Sequence, residues 1–351
     1  MNIIQRIKNL CVKNLGRKRS EPSSRNFQDI IRETPDGPPI TREHVIWAYR
    51  LFLDREPESE AAISGKLNVW RTAKQLRADF MTSPEFRLKN PKGFAYTNES
   101  NVVIKEFDGQ LRLFVDLADQ VIGMNIIRGC YEQSEVNFVR QMVKPGHTVL
   151  DLGANIGFFT MIIASLVGPS GRVYAFEPID VNADLLERSI TENGFEDRVA
   201  LERAAVGQSS GFAELVFLKV ERAHNSGGAY LAQEGTKLPD GHEIKKAEMI
   251  ALDNYTLRRP IDFVKIDIEG AEPLAFRGAE EILWTDRPII LSELNPVALE
   301  RVSGCTPAQF IAEMQARGYD CHILEDGKVA GEICDFKDRG VVSVLFLPRT
   351  G

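Results

Sequence analysis

From residue 148 onward one pattern recurs: a short apolar run, a turn carrying glycine or an acid, then a stretch with helical spacing. TVLDLG is followed by NIGFFTMIIASLV, and RVYAFEP by a polar helical stretch through Asn193. VALERAAV, DFVKIDI, RPIILSEL, YDCHIL and VVSVLFLP supply the later strands, with helices expected near Glu272 and Thr306. Strands alternating with helices pair in parallel, because each helix returns the chain across a sheet face before the next strand begins. The expected fold class is therefore α/β, a doubly wound, seven-stranded, Rossmann-like sheet.

The chain has 351 residues, enough for this core and one smaller unit. Residues 1–40 read as a flexible basic tail and linker: apolar residues lie between Arg6, Lys8, Lys13, Arg17, Lys18 and Arg19, and a Ser/Pro-rich stretch ends in Gly-Pro-Pro. The tail is too interrupted by charge for a signal peptide and leaves open a frayed terminus or a weak membrane-surface contact. Residues 41–90 form a small helical domain, with Thr41 as a helix N-cap, apolar stripes through Tyr49 and Leu53 and through Leu67 and Phe80, and a further turn at Ser83-Pro84. From about residue 100 to the end runs the sheet domain, introduced by a hairpin in which NVVIKEF and LRLFVDL flank Asp108-Gly109.

A net charge of −7 excludes a nucleic-acid footprint, which needs clustered Lys and Arg; a small-molecule or glycan substrate fits better. Five scattered cysteines without C-x-x-C spacing suggest neither zinc nor a disulfide framework, so a reducing cytoplasm is expected, with peripheral contact at the inner membrane surface left open. No segment approaches the roughly 18 consecutive apolar residues of a membrane span.

In an open α/β sheet, ligands sit beyond the carboxyl ends of the strands. There the first strand ends in Asp151-Leu152-Gly153-Ala154-Asn155-Ile156-Gly157, where glycines let the backbone approach a ligand. The second ends in Phe176-Glu177-Pro178, which places a carboxylate where it can accept hydrogen bonds from ribose hydroxyls. A nicotinamide dinucleotide is the rival cofactor, but G-x-G-x-x-G counted from Gly153 puts Asn155 and Phe158 at the second and third glycine positions. S-adenosylmethionine has no phosphate to place, and its sulfonium suits acidic surroundings.

With its motifs in order, GCYEQSE, DLGANIGFFT, YAFEP, ALDNY, DFVKIDIEGAE and LSEL, the chain from about Gly129 to Pro348 resembles the FkbM family of S-adenosylmethionine-dependent methyltransferases. The resemblance implies that Asp151, Gly153, Asn155 and Gly157 form the methionine-side loop and that Glu177 holds the ribose. It further implies that Ala204-Ala205-Val206 borders the adenine, with Ala205 at its centre, and that Glu132 lies near the methionine end. AYRLFLDREPE and FMTSPEFR, in the helical domain, resemble a small domain often attached to enzymes of cell-surface polysaccharide assembly.

A hydroxyl acceptor must lose its proton, and Asp267, Glu269 and Glu272 lie on the same rim as the cofactor loop. Glu293 lies on the neighbouring strand in the usual order. Asp267 stands out because a carboxylate within an apolar strand needs a reason. Lys265, two residues earlier, shares its face. Asp267 and Glu293 can equally bind Mg²⁺ or Ca²⁺, and the sequence does not separate base from metal. Glu272, just before Pro273, reads as a helix cap. His224, in the polar loop RAHNSGGAYLAQEGTKLPDGH, is a substrate contact or an alternative base. The expected function is O-methylation of a sugar hydroxyl in a glycan or glycosylated metabolite. The alternatives are a dinucleotide oxidoreductase and a non-catalytic scaffold of a glycan-assembly complex.

Overall fold

A computed structural model of the chain describes residues 39–53, 55–81, 83–89, 101–119, 121–218, 226–233, 235–332 and 340–349. The basic tail and most of the linker lie outside the described residues.

The helical unit comprises α1 (Arg42–Leu53), α2 (Glu60–Val69), α3 (Ala73–Met81) and α4 (Pro84–Lys89). Thr41 Oγ1 faces the amide of His44, and Ser83 Oγ accepts from Phe86 N, so both starts are capped by hydroxyls. Val45, Tyr49, Leu53, Ile63, Leu76, Phe80 and Phe86 close a small core, with the Tyr49 and Phe80 rings edge to face at 4.7 Å.

β1 (Val102–Phe107) and β2 (Leu111–Asp116) pair as an antiparallel hairpin turning at Asp108 and Gly109, both at positive φ. Two helices, α5 (Ile122–Arg128) and α6 (Gln133–Met142), lead into the large sheet. There β3 (Thr148–Leu152), α7 (Phe158–Val167), β4 (Arg172–Phe176), α8 (Asp180–Asn193) and β5 (Val199–Glu202) form the first half. The second half contains β10 (Phe263–Ile266), α9 (Glu272–Arg277), β11 (Ile289–Leu294), α10 (Pro296–Ser303), α11 (Pro307–Ala316), β12 (Tyr319–Glu325), β13 (Lys328–Glu332) and β14 (Val342–Pro348).

Strand order is β13-β12-β14-β11-β10-β3-β4-β5. The five strands from β11 to β5 are parallel, and β14 enters antiparallel between β11 and β12. The chain moves outward from β3 through β4 to β5, then returns to lay β10 on the other side of β3. That reversal is a topological switch point, where a crevice opens at the strand ends. Alternation along the strands sends Val149, Phe263 and Leu291 to a core with α6, α7 and α8, and Leu150, Val264 and Ile290 to a second core with α9 and α11.

The sheet is α/β and doubly wound as expected, but it has eight strands rather than seven. The eighth, β13, is a hairpin return through Asp326 and Gly327, both at positive φ. VALERAAV is also not one strand: it divides at Arg203, with β5 in the large sheet and β6 (Ala204–Val206) in another. That second sheet, of order β6-β9-β7-β8, is built from β7 (Gly211–Leu218), β8 (Tyr230–Leu231) and β9 (His242–Ile250). Part of the stretch expected to be a polar loop is thus paired backbone.

Candidate functional site

Beyond the switch point lies a cleft open to solvent, with about 860 Å³ of free space counted out into its mouth. Its walls are the turn after β3 (Gly153, Ala154, Asn155), the end of β4 (Glu177, Pro178), β6, the end of β10 (Lys265, Asp267, Glu269), and residues 226–231 without Thr or charge (Ser226, Ala229, Tyr230, Leu231). Phe158, Ile122 and Tyr131 add apolar surface.

The β3 turn is shaped by its neighbours. A Cβ on Gly153, at φ +81°, would meet the Asp267 carbonyl at 2.0 Å, so glycine is required by the approach of two strand ends. Gly157, at φ +93°, is held against Leu186 Cδ1, which a Cβ would meet at 2.4 Å. Gly157 closes the turn as the N-cap of α7, where its missing Cβ lets α7 pack against Leu186 of α8. Asn155 adopts φ +51° and donates its amide to Glu177 Oε2 at 2.9 Å.

Glu177 is 4% exposed and lines the cleft. Its Oε1 accepts from Ile179 N at 2.8 Å and from Asn182 Nδ2 at 3.4 Å. Burial outweighs these donors and pushes its carboxyl up to about 7. A carboxylate has about four lone-pair sites, so these three contacts leave it able to accept from a further hydroxyl. Ala205 lies with Ala204 and Val206 in the small apolar wall. Ser226 ties the far wall down: its hydroxyl lies 2.6 Å from Asp119 Oδ2 and 3.0 Å from Asn155 Oδ1, and its carbonyl accepts from Asn182 at 3.1 Å.

The acids assemble around Lys265, which is 6% exposed. Asp151 is its direct partner in the β3–β10 register, and Lys265, Asp151 and Glu293 project from one face of the sheet by strand alternation. Asp267 Oδ2 is 3.5 Å from the ammonium. Burial works to lower the lysine's pKa, but Asp267, Glu132, Asp151 and Glu293 together raise it, so the lysine is held charged. Asp151 is fully buried under the cleft, accepts from Thr160 Oγ1 at 2.6 Å through Oδ2, and has no partner for Oδ1; burial raises its pKa. Glu132, the residue before α6, is pushed up to about 7 by burial against the pull of Lys265. Glu269, held at φ +53°, is raised to about 7, and Glu293 to about 8, each first by burial and then by Asp267. Glu272 does not cap the helix, whose N-cap is Ala271 with no side-chain bond; as the first residue of α9 it fastens the preceding loop instead, Oε1 accepting from Ile268 N at 3.0 Å and Gly270 N at 3.3 Å.

Among the described residues no group of three His, Cys, Asp or Glu is set to hold a metal ion, and Asp267 Oδ2 lies 3.5 Å from the Lys265 ammonium. Asp151 and Glu293 are not among the cleft's lining residues, and both act on Lys265, which is. His224 lies outside the described residues. The residues missed from sequence are Tyr131, Asn182, Asp119, Ser226 and Tyr230. Tyr131 alone had a signal, standing beside Glu132 in GCYEQSE; its hydroxyl pKa is driven well up by burial and by Glu132.

A switch-point cleft, an inserted antiparallel strand, a glycine turn after the first strand and an acid after the second define the Rossmann-like methyltransferase fold. Residues 151–321 match the profile described as the methyltransferase FkbM domain. The chain is 27% identical over 179 residues to the 31-O-demethyl-FK506 methyltransferase FkbM of Streptomyces tacrolimicus, covering 44% of this chain and 68% of that protein. It is 26% identical over 197 residues to methyltransferase sdnD of Sordaria araneosa, covering 49% and 73%. Among solved structures it is similar to methyltransferase FkbM from Methylobacillus flagellatus KT, at 15% identity over 64% of this chain and 52% of that one, with a TM-score of 0.38. No described helix is long and apolar enough to cross a membrane.

Proposed function

We propose that the chain transfers a methyl group from S-adenosylmethionine to a hydroxyl, in particular a sugar hydroxyl of a glycan or glycosylated metabolite. The observation that carries this reading is the surplus of acid at the switch-point cleft. Five carboxyl groups, Glu132, Asp151, Asp267, Glu269 and Glu293, act on one another around the single ammonium of Lys265. Such a surplus attracts a ligand with its own positive charge and repels a pyrophosphate, which disfavours the dinucleotide reading. The match of residues 151–321 to a methyltransferase profile disfavours it independently.

The residues present fit the cofactor: Glu177 has capacity to accept a ribose hydroxyl, Ala204, Ala205 and Val206 offer an apolar wall for adenine, and the unpartnered Asp151 Oδ1 adds negative charge beneath the methionine end. When bound, S-adenosylmethionine supplies a methyl group already activated by the sulfonium. What the chain must do is align the acceptor oxygen and remove its proton. Glu269 takes that proton, because it lines the cleft and its carboxyl, raised to about 7, can hold a proton near neutrality. Asp267, paired with Lys265, orients the hydroxyl. Gathered around a fixed ammonium, these acids act without a metal.

The sugar as acceptor is supported by the resemblance of the helical unit to one found in polysaccharide assembly, and a cytoplasmic location, at most in weak contact with the inner membrane surface, is supported by the scattered cysteines. Protein incubated with S-adenosylmethionine and a glycan extract from its own cells is expected to release S-adenosylhomocysteine, with mass spectrometry finding the new methyl on a sugar oxygen. Glu269→Gln should lower that rate at least 100-fold without changing S-adenosylhomocysteine affinity, and EDTA should leave the wild-type rate unchanged. Full activity in Glu269→Gln removes the base, and a methyl found on nitrogen or carbon removes the O-methyl reading.

A further inference from the structure

The cleft's outer edge carries one cation whose surroundings differ from those of Lys265. Arg301, in the last turn of α10, is exposed, and its guanidinium carbon lies 3.8 Å from the centroid of the Tyr230 ring. Tyr230 lines the cleft, and Val302, the next residue, packs in the same cluster as Tyr230, Ala205 and Ala271. The charge of Arg301 also reaches Glu269, where it opposes the rise caused by burial. The guanidinium therefore lies just outside the lining, stacked on an aromatic ring of the cleft wall and acting on the acid assigned to take the proton.

A basic residue in a last helical turn needs no ligand to explain it, since it suits the helix dipole. The pose of Arg301 asks for more. On neighbouring elements Arg277 is held by Glu313 at 2.6 Å and Arg317 by Glu280. Among the described residues no carboxylate lies within ion-pair distance of Arg301. Val297, four residues earlier on the same helix face, is 73% exposed and offers no charge to the guanidinium. Stacking on the ring occupies the face of the guanidinium and leaves its in-plane N–H groups free, the arrangement that binds an oxyanion through two parallel hydrogen bonds.

We propose that Arg301 is an oxyanion-binding subsite for the acceptor, so that the molecule methylated carries a carboxylate or phosphate beside the reacting hydroxyl. The inference rests on the methyl-transfer reading and deepens it by naming the acceptor's chemical class. An anionic acceptor that sets its anion on the exposed Arg301 keeps it clear of the carboxyl groups crowded around Lys265. That orientation points the hydroxyl inward, toward Glu269. The same residue thereby selects the acceptor and fixes which end of it faces the methyl group.

The test uses the full chain saturated with S-adenosylhomocysteine and titrated at low salt with glucuronate, glucose 6-phosphate and glucose. At least one anionic sugar is expected to bind at least tenfold more tightly than glucose; glucuronate alone points to a carboxylate and glucose 6-phosphate alone to a phosphate. Arg301→Gln should weaken that binding at least fivefold while S-adenosylhomocysteine affinity stays within twofold, and Arg301→Lys should fall between, because an ammonium keeps the charge without the paired donors. The proposal is overturned if glucose binds as well as both anionic sugars, if Arg301→Gln binds them like the wild type, or if neither binds while S-adenosylhomocysteine does. Failure of S-adenosylhomocysteine itself to bind strikes the methyl-transfer reading, and this inference falls with it.

Discussion

The helical unit and the cleft both contain many acids, and they treat them in opposite ways. On the helices Arg42 meets Glu60 at 2.9 Å, Arg50 meets Glu56 at 2.6 Å, and Arg55 meets Glu85 and Glu58 at 2.7 Å. The partner arginines hold Glu58 and Glu60 below the usual carboxylate range. At the cleft, Glu132, Glu177 and Glu269 are raised to about 7 and Glu293 to about 8, with burial as the first cause in each. The difference teaches that acid count says little by itself. Charges that only decorate a fold find partners in water, whereas charges kept for chemistry are crowded and half-buried at a cost in stability.

The contrast has opposite signs in pH. A carboxyl lowered in the folded state contributes stability above its ordinary range that is lost as pH falls. One raised on folding contributes stability below that range that is lost as pH rises through its folded value. Removing a cleft acid should therefore stabilise the protein at high pH. Glu293→Gln is expected to raise the stability at pH 8.5 by on the order of 1–2 kcal/mol, a few degrees in melting temperature, with a much smaller gain at pH 5.5. Equal shifts at the two pH values would break the comparison. The smaller effect lies in the helical unit, where Arg55 also stacks over the Tyr49 ring at 4.8 Å. Arg55→Ala should lower stability by about 1 kcal/mol at neutral pH and leave S-adenosylhomocysteine affinity unchanged. A loss of affinity would mean that the two regions are coupled.

The parallel sheet was legible because β3 and β10 are buried along their whole length and read as apolar runs, each interrupted by one charged residue, Asp151 and Lys265. Gly153, Asn155, Glu177 and Asp267 were legible as cleft residues because each stands at a strand end. The reason for Gly153 was not: its missing Cβ makes room for the Asp267 carbonyl, a contact between residues more than a hundred positions apart. The second sheet was missed because β9 is HEIKKAEMI, whose charges face water, and because β7 and β9 are joined by a long excursion through β8. Local spacing says little about such pairing. The break at Arg203 had no apolar signature either, since both VALE and AAV suit a strand. Ser226, Asn182 and Asp119 meet only through the fold, which is why none of them stood out.

The account depends on Glu177 facing the ribose of a bound adenosine. Calorimetric titration with S-adenosylhomocysteine of the wild type and of Glu177→Gln, whose amide keeps the shape but loses the charge and part of the acceptor capacity, tests this directly. The account predicts saturable one-to-one binding that weakens about 10- to 100-fold in the variant, as expected for losing charge-assisted hydrogen bonds, with the fold retained. Equal affinity in the two proteins, or no binding by the wild type, would contradict it.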